Sequence, residues 1–299
     1  MRVQALIPAL SIGGAHAARI LQSNDDGWAE SYIRTLNNAL VSAGHDVVLS
    51  APAENKSGSS SLDIEPSPRK AACEYSSCAA NSGPVGSDPS NPRLNWVNSY
   101  PVTSARYGLE TFGPQFWGDA KPDLVVSGPN VGSNLFLEVP FSGTVGVAVY
   151  ASHEAGIPAL AFSGATEDRG SYAATPVPAS STLYAALATQ LTAAVLAAGA
   201  PYLPADTYLN VNFPEVAGAC TDPAAFKWVL TRVNPGLFSD SDVETCGTDR
   251  LPTESDVVGG GGCFIAVSVG DSTDKTTAPA AKQAVVLQKL GSMFTCWSG

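Results

Sequence analysis

Charge is scarce in this sequence. Asp, Glu, Lys and Arg make up 14% of its 299 residues, against roughly a quarter in an average soluble domain. The shortage is greatest on the basic side: 16 Lys and Arg face 27 Asp and Glu, for a formal net charge of −11. A polyanion needs a basic patch, so nucleic-acid polymers and anionic membranes are excluded as partners. A small phosphorylated ligand is not, because a bound cation and backbone N–H groups hold phosphate without lysines. Histidine is equally sparse, with only His16, His45 and His153. None lies near a cysteine and no Cys-x₂-Cys pair occurs, which makes zinc the weaker reading of the cysteines. Long apolar runs are missing too. Residues 184–200 are Ala-rich but carry Thr189, Gln190 and Thr192, so they read as a packed helix rather than a membrane span.

The N-terminus has the make-up of a secretory signal: Arg2, an apolar stretch over 3–12, then Ala15-His16-Ala17. Cleavage after Ala17 would leave Ala18 first in the mature chain, and a secreted, extracellular location is expected. Six cysteines, an even number, then imply three disulfides. Cys73 and Cys78 are close enough to close a small loop. The pairing of Cys220, Cys246, Cys263 and Cys296 stays open. Asn55-Lys56-Ser57 is an N-glycosylation acceptor sequence.

Apolar runs alternate with helical patterns after residue 17. Strands are expected over 18–23, 46–51, 94–97, 123–127, 158–162 and 208–212. Helices are expected over 30–43, 145–155 and 181–198, with Gly44, Gly156 and Gly199 as stop signals. The fold class is therefore α/β, a doubly wound and mostly parallel sheet of Rossmann-like type. Residues 53–93 are rich in Ser, Pro and Gly and read as a loop insertion over the site. Residues 216–299 read as a β-rich, disulfide-containing extension of the same domain, with hairpin-type strands at 226–233 and 263–269 around four consecutive glycines.

In such a fold the end of the first strand opens into the ligand crevice. Here that place is taken by Asn24-Asp25-Asp26-Gly27. Two adjacent carboxylates repel unless a cation lies between them. The same string is also good turn chemistry. Three further segments fall near strand ends: Glu54-Asn55-Lys56-Ser57-Gly58-Ser59, Ser127-Gly128-Pro129-Asn130-Val131-Gly132-Ser133-Asn134, and Pro140-Phe141-Ser142-Gly143-Thr144-Val145-Gly146.

Taken in order, these four segments resemble the survival protein SurE family, metal-dependent phosphatases of nucleotides and other phosphomonoesters. The resemblance covers roughly residues 18–215. It implies Asp25, Asp26, Ser57 and Asn130 as metal ligands, with Asp25 and Asp26 also catalytic. An all-oxygen set suits Mg²⁺ or Mn²⁺, with Ca²⁺ as a third choice. Ser142, Gly143 and Thr144 precede a helix, where free N–H groups and the dipole favour phosphate; plain helix capping is the bland alternative. Asn24 and Asn134 are further candidates, for phosphate contact or for orienting the aspartates. His153, on the third turn of that helix, is expected to be structural. Water would attack phosphorus in line, positioned by the cation or by Asp25 or Asp26. The partner is then a small phosphomonoester, and a homodimer or homotetramer is the expected assembly.

The chain departs from the family in places. Ser99-Tyr100-Pro101-Val102-Thr103-Ser104 stands where members commonly carry Gly-Thr-Pro-x-Asp-Cys, which puts leaving-group recognition in doubt. The insertion, the cysteines and the signal segment suggest a secreted eukaryotic-type member. Two other readings compete: a Ca²⁺-dependent nucleoside hydrolase, which would need a longer aspartate run, and a non-catalytic nucleotide- or metal-binding module.

Overall fold

The computed structural model describes residues 17–237 and 239–299; the expected signal segment, apart from Ala17, falls outside them. The described strands are β1 (Arg19–Ser23), β2 (Asp46–Pro52), β3 (Val85–Asp88), β4 (Asn91–Val97), β5 (Leu124–Val131), β6 (Ala159–Gly164), β7 (Thr207–Phe213), β8 (Lys227–Thr231) and β9 (Phe264–Asp271). They form one sheet in the order β3-β4-β2-β1-β5-β6-β7-β9-β8. Only β3–β4 and β7–β9 pair antiparallel. The mostly parallel, doubly wound sheet is the one the alternating pattern predicts.

Helices cover both faces: α1 (Ser31–Ser42), α2 (Pro101–Tyr107), α3 (Pro114–Trp117), α4 (Gly143–Val149), α5 (Ala179–Ala197), α6 (Glu254–Gly259) and α7 (Ala280–Leu290). Along α1, Ile33, Leu36 and Leu40 recur at helical spacing and are buried, and Gly44 at φ +91° ends the pattern. With Tyr184 and Leu187 of α5, Leu36 and Leu40 bury Ile20, Val126, Phe162 and Phe213 on one face. The other face packs Leu21, Val48 and Val125 against Val145 and Val147 of α4. Each such side chain contributes about 1.5–3 kcal/mol of transfer free energy. By length and composition α5 could cross a membrane; here Tyr184, Leu187 and Leu191 bury it.

Two expectations need correction. Residues 53–93 are not loop throughout, because β3 and the start of β4 occupy their end and extend the sheet edge. The extension is not β-rich, and its strands do not form a hairpin. β8 lies parallel to β9, β9 inserts between β7 and β8, and α6 and α7 make the stretch mixed. Apolar periodicity marks a strand without naming its partner, and a parallel pair needs the long crossover that carries α6. The disulfides are Cys73–Cys78, Cys220–Cys263 and Cys246–Cys296, with no free cysteine among the described residues.

One line of residues crosses the sheet near the carboxyl ends of its parallel strands. In pairing register it runs Ser87, Asn95, Ser50, Ser23, Ser127, Ala161, Asn210, Ser268, Thr231. Only Ala161 is apolar. The row faces α2, α4 and α6, and the crevice opens above its centre.

Candidate functional site

The turn after β1 places both aspartates in that crevice. Asn24 shapes the turn: its Oδ1 accepts from Gly27 N at 3.2 Å and its Nδ2 donates to Gly27 O at 3.1 Å. Both ends of its amide are committed to Gly27, which closes the turn that carries the aspartates. Asp25 is 2% exposed and Asp26 fully buried.

Asp25 reaches across to the start of α4. Its carboxylate accepts from Thr144 Oγ1 at 2.6 Å and Gly143 N at 3.1 Å. A helix N-terminus is a natural seat for an anion, and an anionic oxygen is held there. Ser142 caps the same helix, its Oγ accepting from Val145 N at 3.1 Å. Gly143 is required by space: a Cβ there would lie 2.8 Å from Asp25 Cβ, 2.9 Å from Pro101 Cγ and 2.9 Å from Ser59 Oγ. α4 runs on through a wider turn, Tyr150–Glu154, that carries His153. His153 Nδ1 pairs with Asp206 at 2.8 Å, at the opposite end of the sheet from the aspartates.

Asp26 accepts from Val131 N at 2.7 Å and is paired with Arg169, from the loop after β6. This brings the neighbouring Asn130 to the site. Asn130 donates Nδ2 to Gly132 O at 2.8 Å, and its oxygen accepts no hydrogen bond from the described residues. Gly128, at φ +97°, makes the approach of this segment to β6 feasible, since a Cβ there would fall 2.2 Å from Phe162 O. The 54–59 segment is tied in by Lys56 N on Asp25 O at 2.7 Å. Ser57 is exposed at the mouth and its N–H meets Asn55 Oδ1 at 2.6 Å. Asn134 sits deeper. Its Nδ2 donates to Ser163 Oγ at 2.7 Å, and Asn212 holds its main chain through bonds of 2.8 and 3.1 Å.

The electrostatics favour a cation. Burial raises the Asp25 carboxyl above the ordinary range against the Thr144 bond that lowers it. Burial, and then the Asp25 charge, push Asp26 well up, with Arg169 opposing. Two buried carboxylates so placed take up a proton or a metal ion. Three buried hydroxyls, Ser23 Oγ, Ser59 Oγ and Ser127 Oγ, have no hydrogen-bond partner among the described residues. Ser23 and Ser127 are register partners on β1 and β5, and Ser59 flanks Gly143. Buried hydroxyls without a protein partner fit a water, an ion or a ligand oxygen beside them. Among the described residues no cluster of three or more His, Cys, Asp and Glu forms a metal site. Any cation here therefore takes two carboxylates plus hydroxyl and amide oxygens, which suits a hard divalent ion.

Sequence reasoning missed several residues at this site. Arg169 lies in a polar stretch with no motif. Glu74 and Tyr75 come from the loop closed by Cys73–Cys78. Glu74 Oε2 accepts from Asn55 N at 3.1 Å, and Tyr75 donates to Glu30 at 2.9 Å. The disulfide-closed loop thus forms one wall of the crevice, a role its small size and its place in the insertion do not advertise.

The survival protein SurE family model matches residues 20–237. An acid phosphatase of Yarrowia lipolytica is 32% identical over 305 residues, covering 90% of this chain and 84% of its own. A 5′-nucleotidase SurE of Geobacter metallireducens is 32% identical over 198 residues, covering 66% of this chain and 65% of its own. Proteins so named are phosphoric monoester hydrolases. The SurE protein of Aquifex aeolicus superposes with a TM-score of 0.58 at 24% identity, over 85% of this chain and 93% of that one, a likeness of fold. The matched span runs from β1 through β8 and takes in every strand end that borders the crevice. On that ground the chain belongs to the survival protein SurE family.

Proposed function

We propose that this protein is a divalent-metal-dependent phosphomonoesterase, acting on nucleoside monophosphates or other small phosphate monoesters outside the cell. The observation that carries this reading is the meeting of Asp25 with the Gly143–Thr144 turn. It joins a carboxylate pair suited to a cation with a helix N-terminus suited to an anion. Asp25, Asp26, Ser57 and Asn130 would hold the cation, with Mg²⁺ or Mn²⁺ the fitting choices. When bound, it would neutralise the carboxylates and draw charge from the phosphoryl oxygens.

The chain's own residues do the rest. Gly143 N–H and Thr144 Oγ1 fix Asp25 beside the phosphoryl group, and the positive end of α4 stabilises charge that grows on it. Asp25 or Asp26 orients the water that attacks phosphorus, and the alcohol leaves on the opposite side. Phe141, 65% exposed and next to Ser142, offers a ring to an aromatic or nucleoside leaving group. Three disulfides favour an oxidising compartment.

The test is phosphate release by the purified chain from nucleoside monophosphates and an aryl phosphate. Mg²⁺, Mn²⁺ or Ca²⁺ is added in turn, and the assay is repeated after chelation. Turnover that chelation removes and Mg²⁺ or Mn²⁺ restores is expected. No turnover on any ester, or full turnover after exhaustive chelation, overturns the reading.

A further inference from the structure

Two arginines of this chain are structural ties, buried with each guanidinium nitrogen engaged. Arg69 donates to Ala71 O at 3.1 Å, Asn98 Oδ1 at 2.9 Å, Glu54 Oε2 at 3.2 Å and Ala72 O at 2.7 Å. Arg232 donates to Asn234 O at 2.6 Å, Asp242 Oδ2 at 2.7 Å and Ser239 Oγ at 2.8 Å. Arg169 is held differently. Its side chain is 34% exposed, and among the described residues its guanidinium meets only two carboxylates, Asp26 closely and Glu74 at 3.7 Å. A guanidinium carries five N–H donors, so Arg169 has donors to spare at the lip of the crevice.

The main chain beneath it is fixed. Gly170 N donates to Glu30 Oε1 at 2.9 Å, Ser31 N to Gly170 O at 2.8 Å, and Tyr172 N to Ala29 O at 2.9 Å. The loop after β6 is thus stitched to the turn that follows Asp26, and only the side chain is left to turn. No other Lys, Arg or His pairs with Asp25 or Asp26 among the described residues. The neighbouring cations are engaged elsewhere: Lys56 with Glu54 at 2.8 Å, and Arg34 with Asp88 at 3.7 Å and over the ring of Tyr172 at 4.4 Å.

Arg169 therefore supplies positive charge at the carboxylate where a divalent ion would bind. Two cations at one carboxylate repel, and a doubly charged ion shared with Asp25 is the stronger claimant. A displaced guanidinium keeps a seat at Glu74, whose other oxygen is fixed by Asn55 N at 3.1 Å. From that seat it stays at the crevice, where a phosphoryl group offers paired oxygens that its planar fork fits.

We propose that Arg169 is a phosphate-binding residue: it rests on Asp26 in the metal-free protein and transfers to the phosphoryl oxygens of the ester once a cation takes the carboxylates. The proposal rests on the phosphomonoesterase reading. Metal and arginine are rivals before the ester arrives and partners after it.

The experiment titrates wild type, Arg169→Gln and Arg169→Lys by calorimetry, first with Mn²⁺ alone and then with inorganic phosphate at saturating Mn²⁺. KM and kcat on an aryl phosphate are measured beside them. Arg169→Gln removes the rival charge and should bind Mn²⁺ about tenfold tighter than wild type. It also removes the fork, so the metal-loaded variant should bind phosphate about tenfold more weakly or worse. Arg169→Lys keeps the charge without the fork; it should stay within about threefold of wild type for Mn²⁺ and bind phosphate several-fold more weakly. An arginine that merely held Asp26 in place would, when lost, weaken metal binding or leave both affinities unchanged.

Mn²⁺ binding by Arg169→Gln no tighter than by wild type, or phosphate binding no weaker, overturns the proposal, as does a metal-loaded wild type that binds no phosphate. Should Arg169→Gln fail to fold, Arg169→Lys decides it, and a phosphate affinity equal to wild type overturns it. A chain that shows the expected pattern of Mn²⁺ and phosphate binding but turns over no ester fails the phosphomonoesterase reading alone.

Discussion

Replacing Thr144 by valine removes one oxygen and nearly keeps the side-chain shape. That oxygen donates to Asp25 Oδ1 at 2.6 Å, with Thr144 wholly and Asp25 almost wholly buried. Without it the carboxylate keeps Gly143 N–H at 3.1 Å as its partner on α4. Hydrogen bonds to charged groups contribute about 1.5–3 kcal/mol. If the bond fixes Asp25 for catalysis, kcat/KM should fall by roughly 10- to 150-fold, since about 1.4 kcal/mol is a factor of ten. The pH profile should move as well. Burial raises the Asp25 carboxyl and the Thr144 bond opposes that rise. Losing the bond lets the carboxyl climb further, so it holds its proton to higher pH and the acid limb of activity shifts alkaline. Thr144→Ser keeps the hydroxyl and should keep most of the activity and the original limb. The assay is a pH series of kcat/KM on an aryl phosphate at saturating Mn²⁺, with urea denaturation of all three proteins. Thr144→Val within about threefold of wild type, with an unmoved acid limb, would refute the reasoning.

Two further outcomes follow from the same geometry. Mg²⁺ or Mn²⁺ should raise the melting temperature of wild type by mass action and leave that of Asp26→Asn unchanged; an equal rise in both would remove Asp26 from the ligand set. Cys220–Cys263 and Cys246–Cys296 span 43 and 50 residues, so each constrains the unfolded chain by about 4 kcal/mol. Replacing either pair by serine should lower the denaturation midpoint about twice as much as replacing Cys73 and Cys78, which are 5 apart. The latter change should instead lower activity, because that loop carries Glu74 and Tyr75; a Cys73/Cys78 variant as active as wild type would strike the loop from the site.

Local chemistry was legible in the sequence wherever it was also local in space. The apolar run before Asn24, the helical spacing after it and the stop at Gly44 place β1, α1 and β2 within a residue or two. The adjacent aspartates then fall where an α/β sheet opens. Ser142 reads as a helix cap from its neighbours alone, and it is one. Contacts that join distant segments left no such trace. Thr144, read from the sequence as a phosphate contact, meets Asp25 from 119 positions away, and Arg169 meets Asp26 from 143 out of a stretch that looks like ordinary loop. Glu254 resembles a surface acid at a helix start until Asn210, Ser268 and Phe136 close over it. The placement of β9 between β7 and β8 was hidden for the same reason, since apolar periodicity is a property of one strand and pairing is a property of two.

The polar row across the sheet has a consequence for how the chain avoids misfolding. Strands buried on both faces, such as Leu124-Val125-Val126 or Ala159-Leu160-Ala161-Phe162, look much alike from either side. Hydrophobicity alone would let them slide. A slip of one residue would turn Ser50, Asn210, Ser268 or Thr231 away from their partners and into the apolar layer on the other face. Each stranded hydroxyl or amide would cost about 1–3 kcal/mol, and neighbouring strands would incur the penalty together. The row thus acts as a ruler laid across the strands, making wrong alignments unfavourable before any ligand is present to select the right one.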